Sequence, residues 1–494
     1  MAGSTMTRTI PGAGALDDLR IAVLGLGISG RAALDALAST TSAELSAWDA
    51  KSEARADYEY LDGGADADAS ALMDALIAWN PDAVVIAPAF PMVGLEWTRL
   101  REAGVPVWSE IELAWRLRAA REDGEFAPWL AITGTNGKTT TVSMLESILQ
   151  AAGLRGRAVG NVGTPAVAAV SSTADDAPDA FAFELSSFQL AATDSMEPAG
   201  AICLNFADDH LEWHGTREHY RDSKARIYEN VRGARIFPAG DRAVESMVLD
   251  TPNGGGATNV AIVLDVPAPG QIGLVENLIV DRAFVDDHAQ AAQLFELTDI
   301  GHLATDDGVL PLHILKDALA AAALARSIDI APEHVARGLR SFSGGHHRIE
   351  TVETIAGVRY VDDSKATNAH AAEASVRALS SAVWIVGGQA KGARFTELVA
   401  KVEPHLRAVI VIGVDQSPWR EALEGVTVPV HYVAPDAADP MSEAVHVASE
   451  HAQEGDTVIL APASASMDQF TSYSDRGEQF AAAVRALGGE HASS

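Results

Sequence analysis

The sequence predicts an α/β protein of three successive domains, each built on a mostly parallel sheet. Three observations carry this expectation. At 494 residues the chain exceeds what one hydrophobic core holds, and its 48% apolar content suits packed globular domains. Short apolar runs alternate with stretches of helical periodicity, the pattern of strands joined by helical crossovers. Two glycine-rich loops, residues 25–30 and 134–140, each stand between an apolar run and a helical pattern. That is where open parallel sheets receive phosphate-bearing ligands.

Bulk properties exclude several classes. A net charge of −32 disfavours nucleic acid and anionic membrane surfaces as partners. No run approaches the roughly 20 apolar residues of a membrane span, so no membrane insertion is expected. Residues 1–14 carry no apolar core of a signal peptide, and a cytoplasmic location is expected. The single cysteine, Cys203, lies in an apolar run and reads as a small buried side chain, with no intramolecular disulfide possible. The chain is expected to act as a monomer.

The first domain is expected over residues 1–121. An apolar run at residues 20–24 leads into Gly25-Leu26-Gly27-Ile28-Ser29-Gly30 and then a helix at residues 31–37. This is G-x-G-x-x-G between strand and helix, the Rossmann dinucleotide fingerprint. A second strand, residues 43–48, ends at Asp49, where a ribose-binding acid belongs. The loop specifies close backbone approach to a diphosphate, so NAD and UDP both fit. A third run, residues 83–87, ends in Pro88-Ala89-Phe90-Pro91. The polar stretch 121–125 reads as a linker.

The central domain, residues 122–343, opens on an apolar strand and Gly134-Thr135-Asn136-Gly137-Lys138-Thr139-Thr140, followed by a helix. Strand, glycine loop, Lys-Thr and helix form the layout that cradles nucleotide phosphates. Backbone N–H groups face anionic oxygens, Lys138 supplies a point charge, and the Thr139 hydroxyl can ligate Mg²⁺. The full G-x4-G-K-[ST] signature requires glycine at Ile132, so this loop is a shortened form. The strand at residues 180–183 delivers Glu184, placed for a Mg²⁺-binding carboxylate. The next, residues 199–204, delivers Asp208, Asp209 and His210. His210, His214 and His219 lack a cysteine partner and a recognised zinc spacing. His210 suits a second Mg²⁺ or Mn²⁺, while His214 and His219 read as solvated loop residues. Lys224, in a helical run, reads from the residues alone as a surface charge. Beyond, β-like runs are expected at residues 260–264, 274–280 and 293–297, and helices at 310–326 and 333–339.

Residues 344–494 are expected to form the last domain, entered through a basic glycine turn at residues 343–350. Strands at 359–361, 382–386, 408–412, 430–433 and 457–460 alternate with helical runs. Three strand ends carry distinctive loops at residues 362–368, 387–391 and 461–470. Lysines, hydroxyls and helix N-termini gathered on one crevice suit a small anionic substrate.

In order, and over nearly the whole chain, residues 25–30, 134–140, 184–190, 362–368 and 461–470 resemble the Mur ligase family. The 134–140 loop is shared with the wider superfamily that includes folylpolyglutamate synthetases. The Asp363-Ser364-Lys365-Ala366-Thr367-Asn368 and Ser466-Met467-Asp468-Gln469-Phe470 segments are similar to its D-glutamate-adding branch. The resemblance implies a Rossmann-like N-terminal UDP-binding domain, a central P-loop ATPase-like domain and a C-terminal Rossmann-like domain. It implies ATP-dependent amide synthesis in peptidoglycan precursor formation: the carboxylate of UDP-N-acetylmuramoyl-L-alanine takes the γ-phosphoryl group, and the amine of D-glutamate displaces phosphate. It also implies two Mg²⁺ ions, one on Thr139 and Glu184 and one helped by His210 and a carbamylated Lys224, so Lys138, His210 and Lys224 become the catalytic set. By the same resemblance Ile28, Ser29, Asp49 and Asn161 contact the UDP substrate. Asp317, Arg348 and Asp363 join the ATP site, and Lys365, Thr367, Lys391, Ser466, Met467 and Tyr473 hold D-glutamate. Three departures stand out. Ala87-Pro88-Ala89 replaces Ser-Pro-Gly, Asp317 replaces the second asparagine of His-Asn-x-x-Asn, and Tyr473 replaces phenylalanine. The alternatives are a sibling ligase adding another amino acid, an NAD-binding oxidoreductase fused to an ATPase, and a noncatalytic UDP-muramoyl sensor.

Overall fold

Strands β1 (Arg20–Leu24), β2 (Glu44–Asp49), β3 (Asp62–Ala65), β4 (Ala83–Ile86) and β5 (Val107–Trp108) form a parallel sheet in the order 3-2-1-4-5. Residues 21–24 of β1 are fully buried, as a strand covered on both faces must be. The strand order reverses between β1 and β4, so the 25–30 loop and the 87–90 loop leave neighbouring strand ends at the switch point. Gly30 is required there: a Cβ would lie 1.8 Å from Gly25 O, so only glycine lets the helix Ile28–Thr40 start so close to the loop. That helix is longer at both ends than the expected 31–37. β3 has no counterpart in the sequence reading, because Asp-Gly-Gly-Ala lacks any apolar alternation.

The computed structural model describes residues 12–121, 123–162, 164–173, 177–287, 290–304, 308–342, 349–390 and 393–492. Among these, twenty strands form three sheets in a mixed α/β fold. The chain separates into two compact units: residues 1–302 with 314–342, and residues 303–313 with 343–494. The first unit holds the sheet above and a second, larger one.

That second sheet contains β6 (Trp129–Thr133), β7 (Gly156–Gly160), β8 (Ala180–Glu184), β9 (Gly200–Cys203), β10 (Ala234–Pro238), β11 (Thr258–Ile262), β12 (Gln271–Val275), β13 (Leu278–Asp281) and β14 (Ala292–Glu296), in the order 14-13-12-11-10-9-6-8-7. Pairing is parallel from β7 to β12 and antiparallel for β13 and β14. The single run expected at 274–280 is instead a hairpin, because Glu276 takes a left-handed φ of 56° and turns the chain back. β6 lies between β8 and β9, with Ile132 opposite Glu184 and Thr133 opposite Cys203. The strand ends after residues 133, 184 and 203 therefore open side by side. Beneath them the core packs tightly, with Trp129 and Phe183 stacked at 3.9 Å between ring centroids. Cys203 is fully buried, as its apolar run requires.

The second unit carries β15 (Glu350–Ile355), β16 (Val358–Asp362), β17 (Ala382–Gly387), β18 (Leu406–Ile412), β19 (Val430–Tyr432) and β20 (Thr457–Leu460), in the order 15-16-20-17-18-19. Only the edge pair β15–β16 is antiparallel among these strands. β16, β20 and β17 are adjacent, so the loops after them meet. Ala463 N donates to Ala366 O, Gly387 N to Pro462 O, and Gln389 N to Ala465 O. No helix among the described residues is long and apolar enough to cross a membrane.

Candidate active site

The 134–140 loop leaves the buried end of β6 and enters the helix Lys138–Ala151. Gly137, the residue before the helix, has φ +85°, and a Cβ there would stand 2.4 Å from Asp317 Oδ1. Glycine is thus demanded by backbone conformation and by the carboxylate packed over it. Asn205, at the end of β9, braces the loop. Its Oδ1 accepts from Asn136 N at 2.9 Å and its Nδ2 donates to Asn136 O at 3.0 Å. The sequence reading missed this role, since nothing in a lone asparagine after an apolar run distinguishes a brace from a turn.

Around the loop lies a cavity of about 190 Å³ lined by Gly134, Thr135, Lys138, Asn161, His210 and Lys224, with Ser186, Ser187, Phe188, Asp209 and Tyr220 completing the wall. Lys138 Nζ donates to Gly134 O and Thr135 O at 2.9 and 3.0 Å, and Lys224 Nζ donates to the same Gly134 O at 2.9 Å. Lys224 is therefore not a surface charge. It is fully buried on the inner face of the helix Arg217–Ala225. Burial, reinforced by the Lys138 ammonium, pulls its amine down to about 7.

Thr139 Oγ1 donates to Glu184 Oε2 at 2.5 Å, and Asn161 Nδ2 donates to Glu184 Oε1 at 3.0 Å. A buried carboxylate beside a hydroxyl is an oxygen donor pair that fits Mg²⁺, which takes one or two protein oxygens and completes its shell with phosphate and water. Among the described residues no group of three or more His, Cys, Asp or Glu side chains converges as a metal cluster. His210 has a left-handed φ of 52° and packs edge-on to Phe188. Burial holds its imidazole below the usual histidine value, with Asp209 and Glu212 pulling the other way.

His214 corrects the sequence reading. It is wholly buried, with Nε2 2.9 Å from Ser187 Oγ, and burial drives its ring down to about 3. The turn Leu211–His214 folds inward against Phe188 and Tyr220, which a polar-looking string of histidines hides. His219 is exposed but helical, and its Nδ1 lies 3.1 Å from His214 O.

In the first sheet, Asp49 Oδ2 accepts from Leu26 N at 2.6 Å and Oδ1 from Lys51 N at 2.9 Å, so this carboxylate braces the glycine loop. Ile28 is 79% exposed at the loop's tip, beside Ser29. Asp317 is buried over Gly137. In the second unit, Lys365 Nζ lies 3.9 Å from the centre of the Tyr473 ring, Ser466 is buried and Met467 is exposed. Thr367 N donates to Lys365 O, and Asp363 Oδ2 accepts from Ser375 Oγ at 2.5 Å. Arg348 and Lys391 lie outside the described residues.

Residues 132–325 match the Mur ligase middle domain and residues 347–464 the Mur ligase glutamate ligase domain. The UDP-N-acetylmuramoylalanine–D-glutamate ligase of Streptomyces avermitilis is 45% identical, covering 95% of this chain and 98% of its own length. The chain belongs to the Mur ligase family. Its D-glutamate ligase relatives in Thermobifida fusca and Leifsonia xyli are 49% and 42% identical over 83% and 95% of the chain, and 84% and 93% of their own lengths. Among solved structures, the UDP-N-acetylmuramate–alanine ligase of Thermotoga maritima aligns with a TM-score of 0.53 at 18% identity, covering 95% of this chain and all of its own. A murein peptide ligase of Psychrobacter arcticus aligns with a TM-score of 0.53 at 16% identity, over 95% and 99% of the two chains. At these identities the likeness is one of Mur ligase fold, and it extends across both units.

Proposed function

We propose that this Mur ligase is an ATP-dependent amide ligase that adds D-glutamate to UDP-N-acetylmuramoyl-L-alanine in peptidoglycan precursor synthesis. The observation that carries the reading is the gathering of Lys138, Lys224 and His210 on one cavity at three neighbouring strand ends. The D-glutamate ligase relatives support the choice of substrates. Residues 1–121 hold the UDP portion, 122–343 hold ATP, and 344–494 carry the D-glutamate residues.

In this reading the muramoyl-alanine carboxylate attacks the γ-phosphorus, the bond to the bridging oxygen breaks, and ADP leaves. The acyl phosphate is then attacked at its carbonyl carbon by the D-glutamate amine, which loses a proton as phosphate departs. Two anions must approach each other in the first step. Lys138 and the N-terminus of the helix Lys138–Ala151 offset that repulsion at the phosphates. Thr139 and Glu184 would hold one Mg²⁺, and His210 with a carbamylated Lys224 a second, and the bound ions would neutralise further phosphate charge. Asn161 keeps the Glu184 carboxylate oriented and faces the muramoyl group. Lys224 is neutral enough near pH 7 to attack CO₂. The amine forms an N–C bond and releases one proton, giving a carbamate whose oxygens suit a hard cation. Asp317, Arg348 and Asp363 complete the ATP site, and Lys365, Thr367, Lys391, Ser466, Met467 and Tyr473 hold D-glutamate. The setting is the cytoplasm, where ATP and the UDP precursor are made.

The test is phosphate release with UDP-N-acetylmuramoyl-L-alanine, ATP and a panel of amino acids. D-Glutamate alone is expected to support turnover. Turnover with L-alanine or a diamino acid in its place defeats the assignment.

A further inference from the structure

The reaction needs a fixed span between the loop that holds UDP and the cavity where the acyl carboxylate meets the γ-phosphate. The 87–93 segment lies along that span, and two tryptophans grip it. Trp213 Nε1 donates to Pro88 O at 2.9 Å, and Trp97 Nε1 donates to Phe90 O at 3.0 Å. The two indoles pack edge to face, 6.0 Å apart, and both are buried. On one side, the Phe90 ring presses on the first glycine loop: a Cβ on Gly25 would stand 2.7 Å from Phe90 Cε2. On the other side, Trp213 stacks on Phe188 at 4.6 Å, and Phe188 meets the His210 ring at 4.7 Å. Phe188 and His210 both line the cavity. Trp213 also shares its helical turn with His210, since Trp213 N donates to His210 O. Gly215 at the end of that turn admits Val93, whose Cγ1 would be 2.5 Å from a Cβ there.

We infer that Trp213 is a positioning residue that sets the distance between the UDP cradle and the reaction cavity, through its indole N–H on Pro88. The proposal rests on the reading of the two sites given above. A buried indole needs a partner for its N–H, and the partner used here is the carbonyl of the loop that flanks the UDP cradle. Apolar packing alone would be satisfied by phenylalanine; the donated hydrogen bond would not. A loop held in advance of binding spares the substrate the cost of ordering it. Loss of the bond therefore falls on the UDP substrate and not on ATP, whose loop is braced separately by Asn205.

The experiment is steady-state kinetics on the full-length Trp213→Phe protein with each of the three substrates varied in turn. The KM for UDP-N-acetylmuramoyl-L-alanine is expected to rise about fivefold, the worth of one neutral hydrogen bond. The KM values for ATP and D-glutamate are expected to stay within about twofold. Trp97→Phe removes the donation to Phe90 O while leaving the Trp213 bond to Pro88 in place, is expected to raise the same KM alone, and decides the matter if Trp213→Phe does not fold. An unmoved KM for the UDP substrate, or an equal rise for all three substrates, overturns the positioning role. The unsubstituted protein in the same assay separates the two claims. If it releases no phosphate with D-glutamate, the proposed reaction itself fails. If it does and the variants match it, only the role of Trp213 fails.

Discussion

Glu110 offers a quantitative test of how this fold is assembled. It stands in the first turn of the helix Glu110–Arg116, only 4% exposed, and its Oε1 accepts from Val167 N at 2.6 Å at the start of the helix Ala166–Val170. Burial pushes its carboxyl up from 4.5 to about 7, against the Val167 and Ala166 amides, which favour the ionised form. In the unfolded chain the proton leaves near 4.5; in the folded chain it leaves near 7. Between those values the folded state binds more protons, so stability must fall as pH rises. The contribution is present in full below about 4.5 and lost above about 7. At about 1.4 kcal/mol per pH unit, the loss amounts to about 3 kcal/mol. Glu110→Gln keeps an oxygen for Val167 N and cannot ionise. Urea unfolding followed by tryptophan fluorescence, from about pH 5 to about pH 8, should show the variant gaining about 3 kcal/mol on the parent across the range. Taking the difference between the two proteins cancels the other titrating groups. A difference that stays flat within about 0.5 kcal/mol refutes the assignment of a raised carboxyl to Glu110.

Three further outcomes are expected. Lys224→Ala should slow phosphate release at least about a hundredfold, and millimolar acetate or formate should restore part of it; no recovery would sink the carbamate role. Gly137→Ala puts a Cβ against Asp317 in a left-handed backbone, so calorimetry should find ATP binding weakened at least about tenfold, and an unchanged Kd would show the loop free to adapt. Arg476 is fully buried and donates to Ser364 Oγ, Ser364 O and Ser464 O, tying two of the three loops of the second unit. Arg476→Lys should lower unfolding stability by about 2–4 kcal/mol and raise the KM for D-glutamate more than that for ATP; equal changes in both KM values would reduce Arg476 to a structural role.

What the sequence makes legible here is chemistry that depends on residue type. Gly137 and Gly30 are legible because no other residue fits the left-handed turn of one and the 1.8 Å approach to Gly25 O of the other. Glu184 stands at the end of a fully buried apolar strand, and the structure brings it against Thr139 of the loop. What stays hidden is the direction in which a side chain faces. The helix Arg217–Ala225 reads as a charged surface helix, and Arg217 and Arg221 do pair with surface acids. Lys224 sits three and seven residues further on, a spacing that by itself would place it beside them on the charged face. Tertiary contacts with the Gly134 carbonyl and the Thr133 hydroxyl reveal that it points inward. His214 fails for the same reason, because its partner Ser187 lies 27 residues away in sequence. β3 fails because a strand can be formed by pairing alone, with Gly63 and Gly64 matched to Ala47 and Trp48 and no apolar face of its own.

The net charge poses the last question: how a chain at −32 can hold substrates that are themselves anions. Charges farther away than about 8–10 Å are screened at physiological salt, so the bulk of the acidic surface has little say inside the cavity. There the balance is local. Lys138 and Lys224 share one carbonyl oxygen, and each raises the cost of charging the other. Of the two, Lys224 is the more deeply buried and yields its proton toward pH 7, while Lys138 stands at the start of the helix Lys138–Ala151. Burial above all, with the Lys138 ammonium second, makes the loss of that proton easier.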